Sequence, residues 1–498
     1  MSAGSLGLTE PQGTAGPPVG PGWRAGADAR RTVTQMEIHE LPALELGRRM
    51  AAGQVSPVEV VDAVLDRIDR LDGRLHAFTT TTAGRARDEA ERAEVELAAG
   101  SVRGPLHGVP YAVKDLFDVA GERTGAGTSV RDDHRAIEDC RAVRSATEAG
   151  MVLVGKTHTV QFAYGGVGIN HDTGTPHNPR FEEPHAPGGS SSGAGVAVAA
   201  HLVPVALGTD TGGSVRIPAS LCGIVGLKTT VGRVSRTGVY PLSDTLDSVG
   251  PLAREVADLA AMYDVLQGPD PDDRSTLCVA REPVADRLAS GVDGLRLAFG
   301  EGLMFEDVDP EVEAAVRATA EVFAGIGAPV GACAVPEAET VTRGEVGTLL
   351  NQLLAVEAYS VNREYVDEHF DDLDPIVATR MIVGRDIPAV EYLRAQREMA
   401  VARRSFLARM ADVDALLVPT TARPAHAVAE IDATPDRYFE FNAAYLRNTA
   451  VGNRLGLCGV SVPCGTTRSG APIGLMILAA PFREDVALRV ASAFEAAR

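Results

Sequence analysis

Apolar and polar positions along this chain alternate in two different registers. After Ser56-Pro57-Val58-Glu59 the apolar residues Val61, Val64, Leu65, Ile68 and Leu71 recur at the spacing of one helical face. Ser56 and Glu59 form a capping box there, with proline at the first helical position, where its missing N–H costs nothing. A second helix, polar and rich in Ala, Glu and Arg, is predicted over 83–98. From Gly104 the register changes. Residues 108–113 (GVPYAV) form a short apolar run that ends at Lys114-Asp115, as a buried strand would. A helix near 136–149 leads into another strand at 151–154, followed by Gly155-Lys156-Thr157. Such alternation of strand and helix predicts an α/β fold.

The centre of the pattern is the stretch from Pro187 to Lys228. Two clusters of glycines and hydroxyls, Gly188-Gly189-Ser190-Ser191-Ser192-Gly193 and Gly208-Thr209-Asp210-Thr211-Gly212-Gly213-Ser214, bracket an apolar run from Val196 to Leu207. The run is too short to span a membrane. It predicts a buried helix through His201, a turn, and a strand from Val203 to Leu207. Both clusters then sit at the ends of rigid elements, where catalytic loops are commonly held. Further on, the pattern predicts a strand at 294–300 and a helix capped by Asp309-Pro310 with Val312, Val316, Ala320 and Phe323 on one face. Helices follow over 345–370 and 388–411, strands at 415–418, 460–462 and 474–478, and a last helix over 484–497.

Composition narrows the reading. The 498 residues are 45% hydrophobic and 23% charged, ordinary values for a soluble globular protein. A formal charge of −20 argues against a broad nucleic-acid or anionic-membrane surface. The six cysteines are scattered, with no C-x-x-C pair and no zinc spacing, as expected of reduced thiols in the cytoplasm. Residues 1–36, rich in Gly, Pro, Ala and Thr and without an apolar signal-peptide segment, are expected to be a disordered leader to a single domain over 37–498. Only three of the 47 basic residues are lysine: Lys114, Lys156 and Lys228. An arginine-rich composition accounts for that scarcity by itself, yet all three lie around the central stretch. Lysine can act as a base once desolvated, and arginine in practice cannot.

Nucleophilic hydrolysis needs a nucleophile, a base and donors for the developing oxyanion. Gly189-Ser190-Ser191-Ser192-Gly193 matches the G-x-S-x-G elbow, but His185-Ala186-Pro187-Gly188 cannot form the strand that an elbow requires. The second cluster has the better context. A strand feeds it, and Gly212-Gly213 allow backbone N–H groups to converge beside Ser214. Three bases remain open: His185, His201, and Lys114 acting through an intervening hydroxyl such as Ser190. A structural role for Lys114, satisfied by Asp115 or Asp118, carries equal weight on these residues alone.

The segments GVPYAVKD, APGGSSSG and ALGTDTGGSVRIPASLCGIVGLKTT together resemble the amidase signature family of serine hydrolases. LLVPTTARP at 416–424 and the residues 459–477 resemble the family's C-terminal segments, so the similarity spans roughly 37–498. The resemblance implies a large mixed central sheet covered by helices on both faces. It also implies a Ser-cisSer-Lys triad: Ser214 the nucleophile, Ser190 the bridging serine with a cis peptide, and Lys114 the base. The backbone N–H groups of Thr211, Gly212, Gly213 and Ser214 would form the oxyanion hole, with Ser191, Asp210 and Arg216 in support. No metal or cofactor is required by that chemistry. Met476 stands where many relatives have glutamine, and Thr229-Thr230 replaces a common Pro-Thr. Neither the fatty-acid amidases' N-terminal membrane helix nor the allophanate hydrolases' long C-terminal domain is expected from these residues, which weakens both of those readings.

The expected activity is hydrolysis of a small-molecule amide to an acid and ammonia or amine, extending to esters or carbamates. The expected partner is that small molecule, with neither nucleic acid nor membrane involved, and a homodimer is one option for the oligomeric state. Two other readings compete: the glutaminase A subunit of a tRNA-dependent amidotransferase, and a non-catalytic binding protein on the same fold. The substrate pocket is expected from 160–177, 345–385 and 440–460, with Tyr164, Gln352 and Asn448 as candidates.

Overall fold

The capping box forms as predicted: Ser56 Oγ accepts from the N–H groups of Val58 and Glu59, and Glu59 Oε2 accepts from the Ser56 N–H at 3.1 Å. It starts the helix Pro57–Leu75, whose Val61, Val64, Leu65 and Ile68 are buried. The computed structural model describes residue 1, residues 35–131 and residues 133–498. The expected leader over 1–36 thus lies outside the described residues, apart from Met1, Gln35 and Met36. Described residues from Gln35 onward belong to one compact unit.

Its frame is an 11-stranded sheet. In chain order the strands are β1 (Phe78–Thr81), β2 (Pro110–Lys114), β3 (Val152–Thr157), β4 (Val205–Asp210), β5 (Val225–Lys228) and β6 (Ser248–Ala253), then β7 (Leu297–Glu301), β8 (Val330–Ala334), β9 (Ala415–Pro419), β10 (Cys458–Thr466) and β11 (Pro472–Ala479). Their spatial order is β1-β3-β2-β4-β6-β5-β10-β11-β9-β7-β8. β2 runs parallel to both β3 and β4, and β7 parallel to both β8 and β9; the remaining pairs are antiparallel. The fold is a large mixed α/β sheet, as the resemblance implies. One apolar core joins the helices Pro57–Leu75 and Ser192–Ala199 to β3 and β4; another lies under β7, β9 and β11.

The central stretch differs from its expected form. Its helix, Ser192–Ala199, stops before His201, and its strand runs from Val205 to Asp210 rather than from Val203 to Leu207. His201 takes a left-handed φ of 58° that ends the helix, and its Nδ1 lies 3.2 Å from the His39 carbonyl. Pro204 has no N–H to offer a ladder. At the other end, Gly208, Thr209 and Asp210 are drawn into the sheet by pairing with Gly250, Val249 and Ser248. All eight residues of Ser192–Ala199 are buried, and a Cβ on Gly193 would come within 2.3 Å of the Ala77 carbonyl, so only glycine fits there. The helix expected from 136 begins at Arg141. The strand predicted at 151–154 is longer and extends to Thr157, placing Lys156 inside the sheet.

Candidate active site

β2 delivers Lys114 to the C-terminal end of the parallel strands, the side on which sites in α/β sheets commonly lie. The side chain is fully buried. Its Nζ donates to Ser190 Oγ at 2.7 Å and to Thr209 Oγ1 at 2.9 Å. Neither Asp115 nor Asp118 satisfies it: Asp115 pairs with Lys156 at 2.8 Å, and Asp118 accepts from Thr124. Burial pulls the Lys114 ammonium down to about 7, against the smaller opposing pull of the Asp247 and Asp210 carboxylates.

Ser190 follows a cis peptide from Gly189 and is itself buried. No strand precedes it, so the G-x-S-x-G pentapeptide is not an elbow; a helix begins at Ser192 instead. The Ser191 N–H donates to the Ser214 carbonyl at 3.1 Å, and Ser191 Oγ donates to the Thr209 carbonyl at 3.3 Å. The two hydroxyl clusters, separated in the chain, are thereby tied together.

Ser214 lies in the loop after β4 and is 4% exposed. Gly213 before it has a φ of 140°, and a Cβ there would come within 2.2 Å of Thr449 Oγ1, so this backbone path requires glycine. Thr449 Oγ1 donates to the Gly212 carbonyl at 2.6 Å, which pins the loop. Among the described residues, the N–H groups of Gly212, Gly213 and Ser214 meet no protein acceptor and remain open to an oxyanion.

Beneath the loop, Asp210 and Arg216 form a fully buried ion pair at 2.9 Å. Asp210 also accepts from the Val215 N–H and from Asn453 Nδ2. Burial acts to raise the Asp210 carboxyl, but the Arg216 guanidinium overrides it and holds the group at about 2. Arg216 donates further to the Thr449 carbonyl, to Asn453 Oδ1 and, at 3.1 Å, to Met476 Sδ. Met476, the departure from the common glutamine, is thus a packing partner of Arg216. The two histidine bases fall away: His185 stacks on Phe181, and His201 is bound to His39.

Thr211 and Gly212 open onto a cavity of about 810 Å³. Tyr164 and Gln352 line it as expected. Asn448 does not; its Nδ2 is buried, donating to the Met304 and Pro419 carbonyls, and it is a structural residue. Sequence reasoning missed Thr209, Thr449 and Asn453. Thr209 lay inside the second cluster, whereas Thr449 and Asn453 carry no local signal because their partners are more than 230 positions away.

Residues 59–488 match the family model described as Amidase. The chain belongs to the amidase signature family. It is 35% identical to the A subunit of glutamyl-tRNA(Gln) amidotransferase from Geobacter metallireducens, over 93% of this chain and 98% of that one. It is 38% identical to an amidase of Pseudomonas putida, over 92% and 96% respectively. Among solved structures it superposes, with a TM-score of 0.84 and 36% identity, on a chain from a vestigial complex bearing on the origins of an s-triazine catabolic enzyme, covering 92% and 98%. The protein is an enzyme that hydrolyses carbon–nitrogen amide bonds. Among the described residues no helix is long and apolar enough to cross a membrane.

Proposed function

We propose that this protein hydrolyses a small-molecule amide through an acyl-enzyme on Ser214. The observation that carries the reading is the 2.7 Å contact of a buried Lys114 Nζ, its pKa drawn to about 7, with Ser190 Oγ. Neutral Lys114 takes the proton of Ser190, which takes that of Ser214 as its Oγ attacks the amide carbonyl. The tetrahedral oxyanion is held by the N–H groups of Thr211, Gly212, Gly213 and Ser214. Returning along the relay, the proton goes to the departing amine as the carbon–nitrogen bond breaks. Water then attacks the acyl-enzyme by the same route, releasing acid and regenerating Ser214. Asp210, Arg216 and Ser191 hold the loop in place. No cofactor takes part in this scheme. Esters and carbamates present a carbonyl to the same loop and belong to the substrate range.

Ser214→Ala abolishes turnover and labelling by a fluorophosphonate; labelling retained in that variant would place the nucleophile elsewhere. The relatives named as amidotransferase A subunits supply the second reading, a glutaminase that works within a larger complex. Purified chain alone decides between them: release of ammonia from simple aliphatic or aryl amides, without response to glutamine, supports the free-standing enzyme. A homodimer would suffice for that enzyme, and sedimentation of the purified chain tests it.

A further inference from the structure

Two carboxylates act on Lys114 from beyond hydrogen-bond reach, Asp247 and Asp210. The charge of Asp210 is matched by Arg216 at 2.9 Å. Asp247, the residue before β6, is buried and has no ion-pair partner among the described residues. Both of its oxygens are nonetheless used. Oδ1 accepts from the Thr211 hydroxyl, and Oδ2 accepts from the N–H groups of Leu242 and Ser243 at 2.8 and 2.9 Å. A shell of donors alone suits an ionised carboxylate, which can only accept. Burial pushes the Asp247 carboxyl up, against the pull of those donors and, from farther off, of Arg236. Arg236 is itself occupied, donating to the Asp244 carbonyl and lying 3.6 Å from Asp273. The loop that carries Asp247 is held from the helix Gly344–Glu368, where Glu357 accepts from the hydroxyls of Ser243 and Thr245 and from Tyr392 OH. Asp247 and Thr209, the latter a partner of Lys114, line one cavity of about 240 Å³, with Asp244, Asp272 and Arg274 as its other charged walls besides Arg236 and Asp273. That cavity shares no residue with the one at Thr211 and Gly212.

We propose that Asp247 is a positioning residue for amide hydrolysis: it clamps Thr211 at the head of the oxyanion loop, and its unpaired negative charge strengthens Lys114 as a base. The inference rests on the Ser214–Lys114 reading and adds a residue that serves it. Both roles follow from one placement. Strand β4 runs through Thr209 and Asp210 into the loop at Thr211, and Ser248, the neighbour of Asp247, pairs with Asp210 across β4 and β6. Asp247 is thereby fixed beside the loop and on the Thr209 side of the lysine. A carboxylate there favours the ammonium over the neutral amine, so Lys114 is a stronger base than burial alone would leave it. The bond to Thr211 steadies the backbone whose N–H groups face the oxyanion, and such donors count most once charge has developed in the transition state.

The test follows the rate of labelling of the full-length protein by a fluorophosphonate between about pH 5 and about pH 9, which reads Ser214 and its base without a known substrate. Asp247→Ala is expected to lower the plateau rate constant by about 10-fold to 100-fold, because the loop loses its clamp. Asp247→Asn keeps the hydrogen bonds, its Oδ1 taking the two N–H groups and its Nδ2 donating to the Thr211 hydroxyl, while it removes the charge. It is expected to regain most of that loss and to move the inflection of the profile to lower pH by roughly one unit, since the ammonium loses a stabilising neighbour. A purely structural Asp247 would shift the melting temperature and leave the inflection in place. Either of two results overturns the inference: a plateau in Asp247→Ala equal to that of the wild type, or an inflection in Asp247→Asn that does not move. If circular dichroism shows Asp247→Ala unfolded, the inflection in Asp247→Asn decides the matter. A wild-type protein that the probe does not label would overturn the Ser214 reading and this inference with it. Labelling of the wild type but not of Ser214→Ala keeps that reading standing whatever the Asp247 variants do.

Discussion

Lys114 and Lys156 sit at the ends of neighbouring parallel strands, and both are fully buried. Lys156 has the surroundings of a structural cation: Asp115 at 2.8 Å, Thr124 Oγ1 at 3.1 Å and the Arg123 carbonyl. Lys114 faces two hydroxyls and no carboxylate within hydrogen-bond reach. Burial draws the Lys114 ammonium down to about 7, and no carboxylate among the described residues contacts it, whereas Asp115 lies against Lys156. Lys228, whose Nζ donates to the Thr229 and Leu457 carbonyls, is an intermediate case, drawn by burial to about 8.

The comparison is broken most directly at Lys114. Lys114→Ala is expected to lower kcat/KM by about 100-fold to 10,000-fold at neutral pH, the range for losing a general base. A rate near that of the wild type would move the base elsewhere. Lys156→Met should instead act on stability, costing about 3 to 5 kcal/mol by leaving Asp115 without its ammonium partner. Urea unfolding measures that loss, and an unchanged midpoint would show the ion pair to be dispensable. Acidity sharpens the contrast. Because the neutral amine is the active form, kcat/KM should fall about tenfold per unit as pH drops below about 7 and level off above it. The smallest effect is expected at Thr209→Val, which deletes one hydrogen-bond partner of Lys114 and should alter the rate by about 2-fold to 10-fold while displacing the inflection of that profile. A profile identical to the wild type would remove Thr209 from the base's environment.

Much of this was legible along the chain. The capping box at Ser56 works through atoms three residues apart, and the composite of GVPYAVKD with the two hydroxyl clusters carries the family. Strand β8, with sequence VGACA, was not legible, because its largely exposed, edge position leaves no alternation to read. Strand β6 was missed because pairing on both sides suppresses the polar half of the pattern.

Residue order alone carried the local backbone: the helix starts, the glycines that a sharp loop needs, and the presence of Lys114, Ser190 and Ser214. Folding alone decided that Lys156 meets a carboxylate while Lys114 meets hydroxyls and Lys228 carbonyls, that Asn453 braces Asp210 across 243 positions, and that arginines from 343 to 454 converge on one cavity. The division follows from range. Backbone conformation answers to neighbours a few bonds away, whereas the charge state of a buried group answers to whatever lies within a few ångströms, however distant in the chain.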